Sequence, residues 1–258
     1  MDISCCAWAM SGPEPRALNQ LAELGFAHID VQTHTYATAQ SRAAINALNI
    51  QVRCVGLSFN MSEGAELDSP NPDMRQRAIA HVEQGLEQAS RCGVDEAYVV
   101  PGEDPSRLDY FGESMLRAAD LASERQIALS IEHFPGKALP TAAGTLDYID
   151  KLDHANLYLL MDSGHLQISR EDPASVIAQA GDRLGYVHLD DNDGKDDLHW
   201  ALCDGVLTRT DLRELLVALT QSPYMGPVSL ELHPELKNPF ESLRKSLHLV
   251  REILGELP

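Results

Sequence analysis

Apolar runs of five to eight residues, several rich in β-branched side chains, recur along the chain and are separated by longer stretches of amphipathic spacing. The predicted strands are residues 3–9, 27–32, 51–58, 97–101, 127–134, 157–162, 184–189 and 228–233. Helix signals fill the gaps. Pro13 and Pro15 open the first helix, Ser106 caps the fourth, Asp172-Pro173 starts the sixth and Pro239 the eighth, while Gly25 and Gly93 end the first and third. In the third helix Arg75, Ala78, Ile79, Val82, Leu86 and Ala89 recur at three- and four-residue spacing, which predicts one inward face. Short strands alternating with longer helices build a parallel sheet covered by helices, and eight such pairs predict a single (β/α)8 TIM barrel over residues 1–258.

Composition adds limits. With 44% hydrophobic and 23% charged residues the chain can bury a large core behind a polar surface. A formal charge of -19 repels phosphate polyanions and anionic headgroups, so neither nucleic acid nor a membrane is an expected partner. No apolar run approaches the roughly 18 residues that span a bilayer, and no basic segment precedes an apolar stretch at the amino terminus. The cysteines Cys5, Cys6, Cys54, Cys92 and Cys203 are odd in number and lack C-x-x-C spacing, which predicts reduced, mostly buried thiols. The cytoplasm is the expected compartment.

A barrel aims its chemistry from the carboxyl ends of its strands. Strand five ends in Ser130-Ile131-Glu132-His133, strand six in Met161-Asp162-Ser163-Gly164-His165, strand seven in Tyr186-Val187-His188 and strand eight in Leu230-Glu231-Leu232-His233. Charged groups set in apolar runs demand a partner, because desolvation of an unpaired charge is prohibitive. Glu132, Asp162, His188 and Glu231 together form an O/O/N/O donor set that suits one divalent metal ion: Mn2+ first, with Mg2+, Co2+ and Zn2+ also compatible. Trp8, His34 and Glu103, each at an early strand end, are candidates to complete a substrate pocket above that ion, Trp8 by stacking and His34 and Glu103 by hydrogen bonding.

Glu132, the Asp162-x-x-His165 element, His188 and Glu231 resemble the xylose isomerase-like barrel superfamily of sugar isomerases and epimerases, which includes D-tagatose 3-epimerase-like, hydroxypyruvate isomerase-like and inosose dehydratase-like enzymes. The resemblance covers most of the chain. By ordered position it implies that Glu132, Asp162, His188 and Glu231 are the metal ligands, that His165 contacts substrate, and that the barrel forms a homo-oligomer. Asp197-x-His199 is similar to the Asp-x-His pair in the three-metal site of endonuclease IV, a member of the same superfamily. Strands three and four, however, end in Ser58-Phe59-Asn60 and Val100-Pro101-Gly102 and lack that enzyme's histidines. Asp197 and His199 are instead expected to close a loop over the site. Where ketohexose epimerases carry an arginine after the strand-seven histidine, this chain has Asp193-Gly194-Lys195; Lys195 is a point charge without a bidentate fork, expected to replace it in part.

The expected activity is proton transfer next to a metal-bound carbonyl of a sugar or keto-sugar, with Glu132 and Glu231 moving the proton to give epimerisation or isomerisation. A leaving group β to the carbonyl would turn the same step into a dehydratase or lyase reaction. A non-catalytic sugar-binding barrel is the alternative from a different class, and four filled ligand positions argue against it.

Overall fold

The apolar runs become the eight parallel strands β1 (Ile3–Cys5), β2 (His28–Gln32), β3 (Gln51–Gly56), β4 (Glu96–Val99), β5 (Ala128–Glu132), β6 (Leu157–Asp162), β7 (Leu184–Leu189) and β8 (Val228–Leu230) of the computed structural model, which describes residues 1–257. Ladders join each strand from β2 to β8 to the next, and β8 to β1. A parallel bridge between Cys6 and Asp30 brings the two ends of the sheet together, giving the (β/α)8 barrel. Several strands stop two to four residues before the apolar run does. The remaining apolar residues, such as Ala9, Leu57 and Leu232, are buried beneath the loops at the barrel mouth.

The helices are α1 (Glu14–Leu24), α2 (Ala39–Ala47), α3 (Pro72–Cys92), α4 (Leu108–Ser123), α5 (Ala142–Leu152), α6 (Ser163–Ser169), α7 (Pro173–Ala180), α8 (Arg209–Gln221) and α9 (Pro239–Glu256). The extra element is α6, a short helix that leaves β6 directly with Asp162 as its cap and ends where Arg170 turns left-handed at φ 59°. Asp172 caps α7, Pro13 precedes α1, and Gly25 and Gly93 close α1 and α3 in the left-handed region, as their positions in the sequence predict. The predicted cap of α4 is corrected: Ser106 lies in a 3-10 turn, Pro105–Arg107, capped by Asp104, which accepts the Ser106 N–H and hydroxyl, and α4 itself starts after Arg107 with no side-chain cap. A carboxylate is the stronger acceptor for both donors. On α3, Ala78, Val82, Leu86 and Ala89 are fully buried against the sheet.

The main core lies between sheet and helices, and Cys54, Tyr98, Leu160 and Tyr186 form a separate apolar cluster. These four come from strands β3, β4, β6 and β7 and fill the barrel beneath its mouth. Cys5, Cys6 and Cys54 are buried and all five thiols are free. No helix among the described residues is long and apolar enough to cross a membrane.

At the opposite end of β4, Glu96 borders a cavity with Arg53, Asp95 and Tyr224, and its Oε2 is buried without a hydrogen-bond partner. Burial and the neighbouring Asp95 charge raise its carboxyl to about 8, against the pull of Arg53. The folded state therefore binds this proton more tightly than the unfolded chain. The associated stability is complete below the ordinary glutamate range and is lost as pH rises through about 8. Glu96→Gln should flatten the fall in unfolding free energy, read from urea titrations between pH 5 and pH 8.5, by up to about 4 kcal/mol, at about 1.4 kcal/mol per tenfold change in proton affinity. Parallel curves for the two proteins would show that Glu96 keeps its ordinary proton affinity in the fold.

Candidate active site

Each of the four strand-end residues reaches the mouth because its strand stops there. Asp162 and His188 are register partners on β6 and β7, Glu132 ends β5, and the Glu231 amide donates to the Leu189 carbonyl just past β8. One donor atom from each of the four lies within 4.8 Å of every other, and all four side chains are buried. Donors around a single ion at about 2.1 Å stand no more than about 4.2 Å apart, so a small contraction would close the set.

Among the crowded polar atoms, His188 Nδ1 and Asp162 Oδ2 are buried with no hydrogen-bond partner. His188 Nδ1 sits 2.6 Å from Glu231 Oε2 and 3.9 Å from Glu132 Oε1, yet is aligned with neither for a hydrogen bond. Asp162 spends Oδ1 on the His165 amide at 2.7 Å, as the cap of α6, and its Oδ2 is buried with no partner. Orphaned donors and acceptors converging on one point suit a cation between them and do not suit a self-satisfied network. The residues fit a divalent metal.

Charge is distributed unevenly here. Burial and the adjacent Glu231 charge raise Glu132 to about 7, although His165, His188 and His199 pull it down. Burial also acts to raise Glu231, but the His188 imidazolium overcomes it and holds this carboxyl at about 2. Burial works against the charged form of His188, which Glu231 nevertheless raises to about 9. Beneath the ring, the fully buried Asp30 carboxylate lies 3.9 Å from His188 Nε2 and accepts the Ser4 and Tyr186 hydroxyls at 2.9 and 2.7 Å. Burial raises Asp30 above the usual carboxylate range in spite of those donors.

A second cluster stands beside the first. His165 Nδ1 donates to the His133 carbonyl at 2.8 Å, leaving Nε2 facing Asp197 Oδ1 at 3.4 Å. Asp197 Oδ2 lies 3.2 Å from His199 Nε2, and His199 Nδ1 lies 2.9 Å from Asp190 Oδ2. Burial opposes ionisation of Asp197, but the two imidazoles hold it well below the usual carboxylate range. Asp190 reaches this chain because Gly164 has no side chain: a Cβ there would stand 2.4 Å from Asp190 Oδ1, which accepts the Gly164 amide at 2.7 Å.

The cavity above these groups has a volume of about 400 Å³ and is lined by Glu132, Glu231, Asp197 and His199, by Phe59 and Phe134, and by Lys137 with Ser58, Val100 and Pro101. Trp8 is at the site, its indole N–H donating to Glu231 Oε1 at 3.1 Å. His165 is fully buried against Phe134 and Asp197 and does not reach the cavity wall. His34 is exposed and packs edge-on against His81 at 5.0 Å, Glu103 is paired with Lys137, and Lys195 is exposed on its loop. None of these last three lines the cavity. Sequence reasoning passed over Asp30, Asp190 and Lys137. A lone aspartate in an apolar strand run was the available signal for Asp30, and Asp190-Asp191-Asn192 directly after β7 was the signal for Asp190.

A family model described as xylose isomerase-like TIM barrel matches residues 18–253. An L-ribulose 3-epimerase from Methylomonas sp. (strain DH-1) is 23% identical over 96% of this chain and 90% of its own length. An inosose dehydratase from Bacillus thuringiensis (strain Al Hakam) is 29% identical over 71% of this chain and 67% of its own. The crystal structure of a D-allulose 3-epimerase from Methylomonas sp. in complex with D-allulose shares the fold at a TM-score of 0.81, with 20% identity over 98% of this chain and 96% of that one. Gly164→Ala should displace Asp190 and lower stability by about 1–3 kcal/mol through overpacking. An unchanged urea midpoint would mean that the Asp190 carboxylate moves aside freely.

Proposed function

The chain belongs to the xylose isomerase-like TIM barrel family, and on that premise we propose that it is a divalent-metal-dependent epimerase or isomerase of a sugar or keto-sugar. The observation that carries this reading is the convergence of Glu132, Asp162, His188 and Glu231 on one point beneath an open cavity. Those four residues would hold the metal. When bound, it supplies Lewis-acid polarisation of the substrate carbonyl and offsets the negative charge that develops there.

The chain's own groups do the rest. Glu132 and Glu231 both line the cavity, so a substrate carbon lying between them can lose its proton to one carboxylate and regain it from the other. Return of the proton to the opposite face of the same carbon epimerises it; return to the neighbouring carbon isomerises the sugar. The Trp8 indole holds Glu231 Oε1, which fixes the direction in which that carboxylate faces. Asp197 and His199 present hydrogen-bonding atoms on the same wall for hydroxyls, and Phe59 and Phe134 offer apolar faces for C–H groups. Asp30 Oδ2, 3.9 Å from His188 Nε2, places a carboxylate on the side of the ring away from Glu231, which lies 2.6 Å from Nδ1.

The inosose dehydratase likeness supports a second reading of the same site. If a hydroxyl sits β to the carbonyl, proton removal is followed by its expulsion, and the enzyme is a dehydratase or lyase with the same carboxylates.

Two measurements test this reading. Saturating Mn2+ should raise Tm by several degrees, since binding at a hundred times Kd contributes about 2.7 kcal/mol. Asp162→Asn should abolish that rise, whereas an equal rise in both proteins would place the ion elsewhere. Incubation with ketoses in D2O should put solvent deuterium into substrate or product, and Glu231→Gln should lower that exchange by at least about a hundredfold. Turnover without deuterium would replace proton transfer by a hydride shift.

A further inference from the structure

Lys137 is the only lysine or arginine on the wall of the cavity among the described residues. It stands on the β5–α5 connection, where the Lys137 amide donates to the Phe134 carbonyl at 3.0 Å and the Ala138 amide donates to the Gly102 carbonyl at 2.8 Å, tying this loop to the one after β4. The backbone that carries the ammonium is therefore fixed from both sides. Its Nζ lies 5.9 Å from the Phe134 ring centre and 3.0 Å from Glu103 Oε1.

The two partners of that ion pair are unequal. The Lys137 side chain is 28% exposed and Glu103 is 81% exposed. An ion pair with so much water around one partner is worth little, about 1 kcal/mol or less, so Glu103 can leave at small cost. The other acidic groups on the wall each face an imidazole: Glu231 lies beside His188, Glu132 is 3.6 Å from His165 and 3.9 Å from His188, and Asp197 faces both His165 and His199. Lys137 thus has a carboxylate on it that is easily exchanged, and it faces a cavity whose remaining side chains are aromatic, apolar, acidic or imidazole, with the one hydroxyl of Ser58.

On the reading of this cavity as a keto-sugar site, we infer that the substrate carries a carboxylate at the end remote from its carbonyl, and that Lys137 selects it by trading Glu103 for that group. A carboxylate replaces a carboxylate, so the pair exchanges like charge for like and the newcomer gains a partly desolvated ammonium. A phosphate dianion suits the site less well: one ammonium leaves part of its charge unpaired inside a chain of net charge -19.

The test is isothermal titration calorimetry of the Mn2+-supplemented protein with matched ketoses, D-fructose against D-fructuronate and D-tagatose against D-tagaturonate, which differ within each pair only in the terminal group. At least one uronate should bind about tenfold or more tighter than its neutral partner, the range expected of a hydrogen bond to a charged group. Lys137→Met should erase that preference and Lys137→Arg should keep most of it. Glu103→Gln should strengthen uronate binding a few-fold by removing the competing carboxylate. Equal binding of acid and neutral sugar, a preference that survives Lys137→Met, or tighter binding of D-fructose 6-phosphate than of either uronate would each overturn the inference. In those cases the keto-sugar reading stands on the neutral-ketose binding and on deuterium exchange. Binding of none of these compounds would remove both together.

Discussion

Four ionisable side chains taken out of water at adjacent strand ends are the constraint around which this barrel is arranged. Glu132, Asp162, His188 and Glu231 are buried side by side, and three of them carry the same sign when ionised. A carboxylate in such a place must be protonated, paired or bound to a cation. Here the solutions are divided: one glutamate keeps a high proton affinity, the other is ionised against an imidazolium, and an aspartate oxygen is left with no hydrogen-bond partner. A set that is only partly satisfied by itself costs the fold stability, and that cost is lifted when a cation enters the set.

The scaffold exists to hold that convergence. Parallel strands joined by covering helices leave all the carboxyl ends at one mouth, and the register places Asp162 opposite His188 without help from a loop. Support continues downward into the barrel. Asp30, with Ser4 and Tyr186 on its oxygen, joins strands β1, β2 and β7 immediately under the His188 ring. Support also continues sideways, where Asp190 accepts from the first turn of α6 and faces His199, which faces Asp197, which faces His165. Groups on the cavity wall are therefore oriented by groups buried behind it.

Overall charge and local charge point in different directions. A net charge of -19 disfavours polyanions at long range, but that field is screened over about 10 Å in ordinary salt. Within the cavity the balance is set by what lines it: a lysine with an exposed acidic partner, and carboxylates already matched by imidazoles. Relatives named as epimerases and as an inosose dehydratase share the barrel, and substrate choice in such a fold rests on the loops above a common floor.

The sequence by itself determined the strands, the barrel and the four convergent residues, because each depends on a local pattern. An apolar run ending in Glu, Asp or His says both that a strand is there and that its last polar group is held at the mouth. Helix ends marked by Pro13, Gly25, Gly93 and Asp172 were legible for the same reason: a cap involves only neighbours in the chain. The start of α4 was not legible in this way: Ser106 has the chemistry of a cap, but a 3-10 turn capped by Asp104 intervenes and α4 has no side-chain cap, which only the backbone path decides. Tertiary structure alone decided which loop delivers a cation. Lys195 and Lys137 look alike in sequence, but the first is exposed on its loop and is not among the residues that line the cavity, whereas the second is. It also decided the role of Asp30, whose partners on β1 and β7 come within reach only when the sheet closes on itself. Strand identity is written in adjacent residues; contact between residues 156 positions apart, as for Tyr186 and Asp30, is a property of closure.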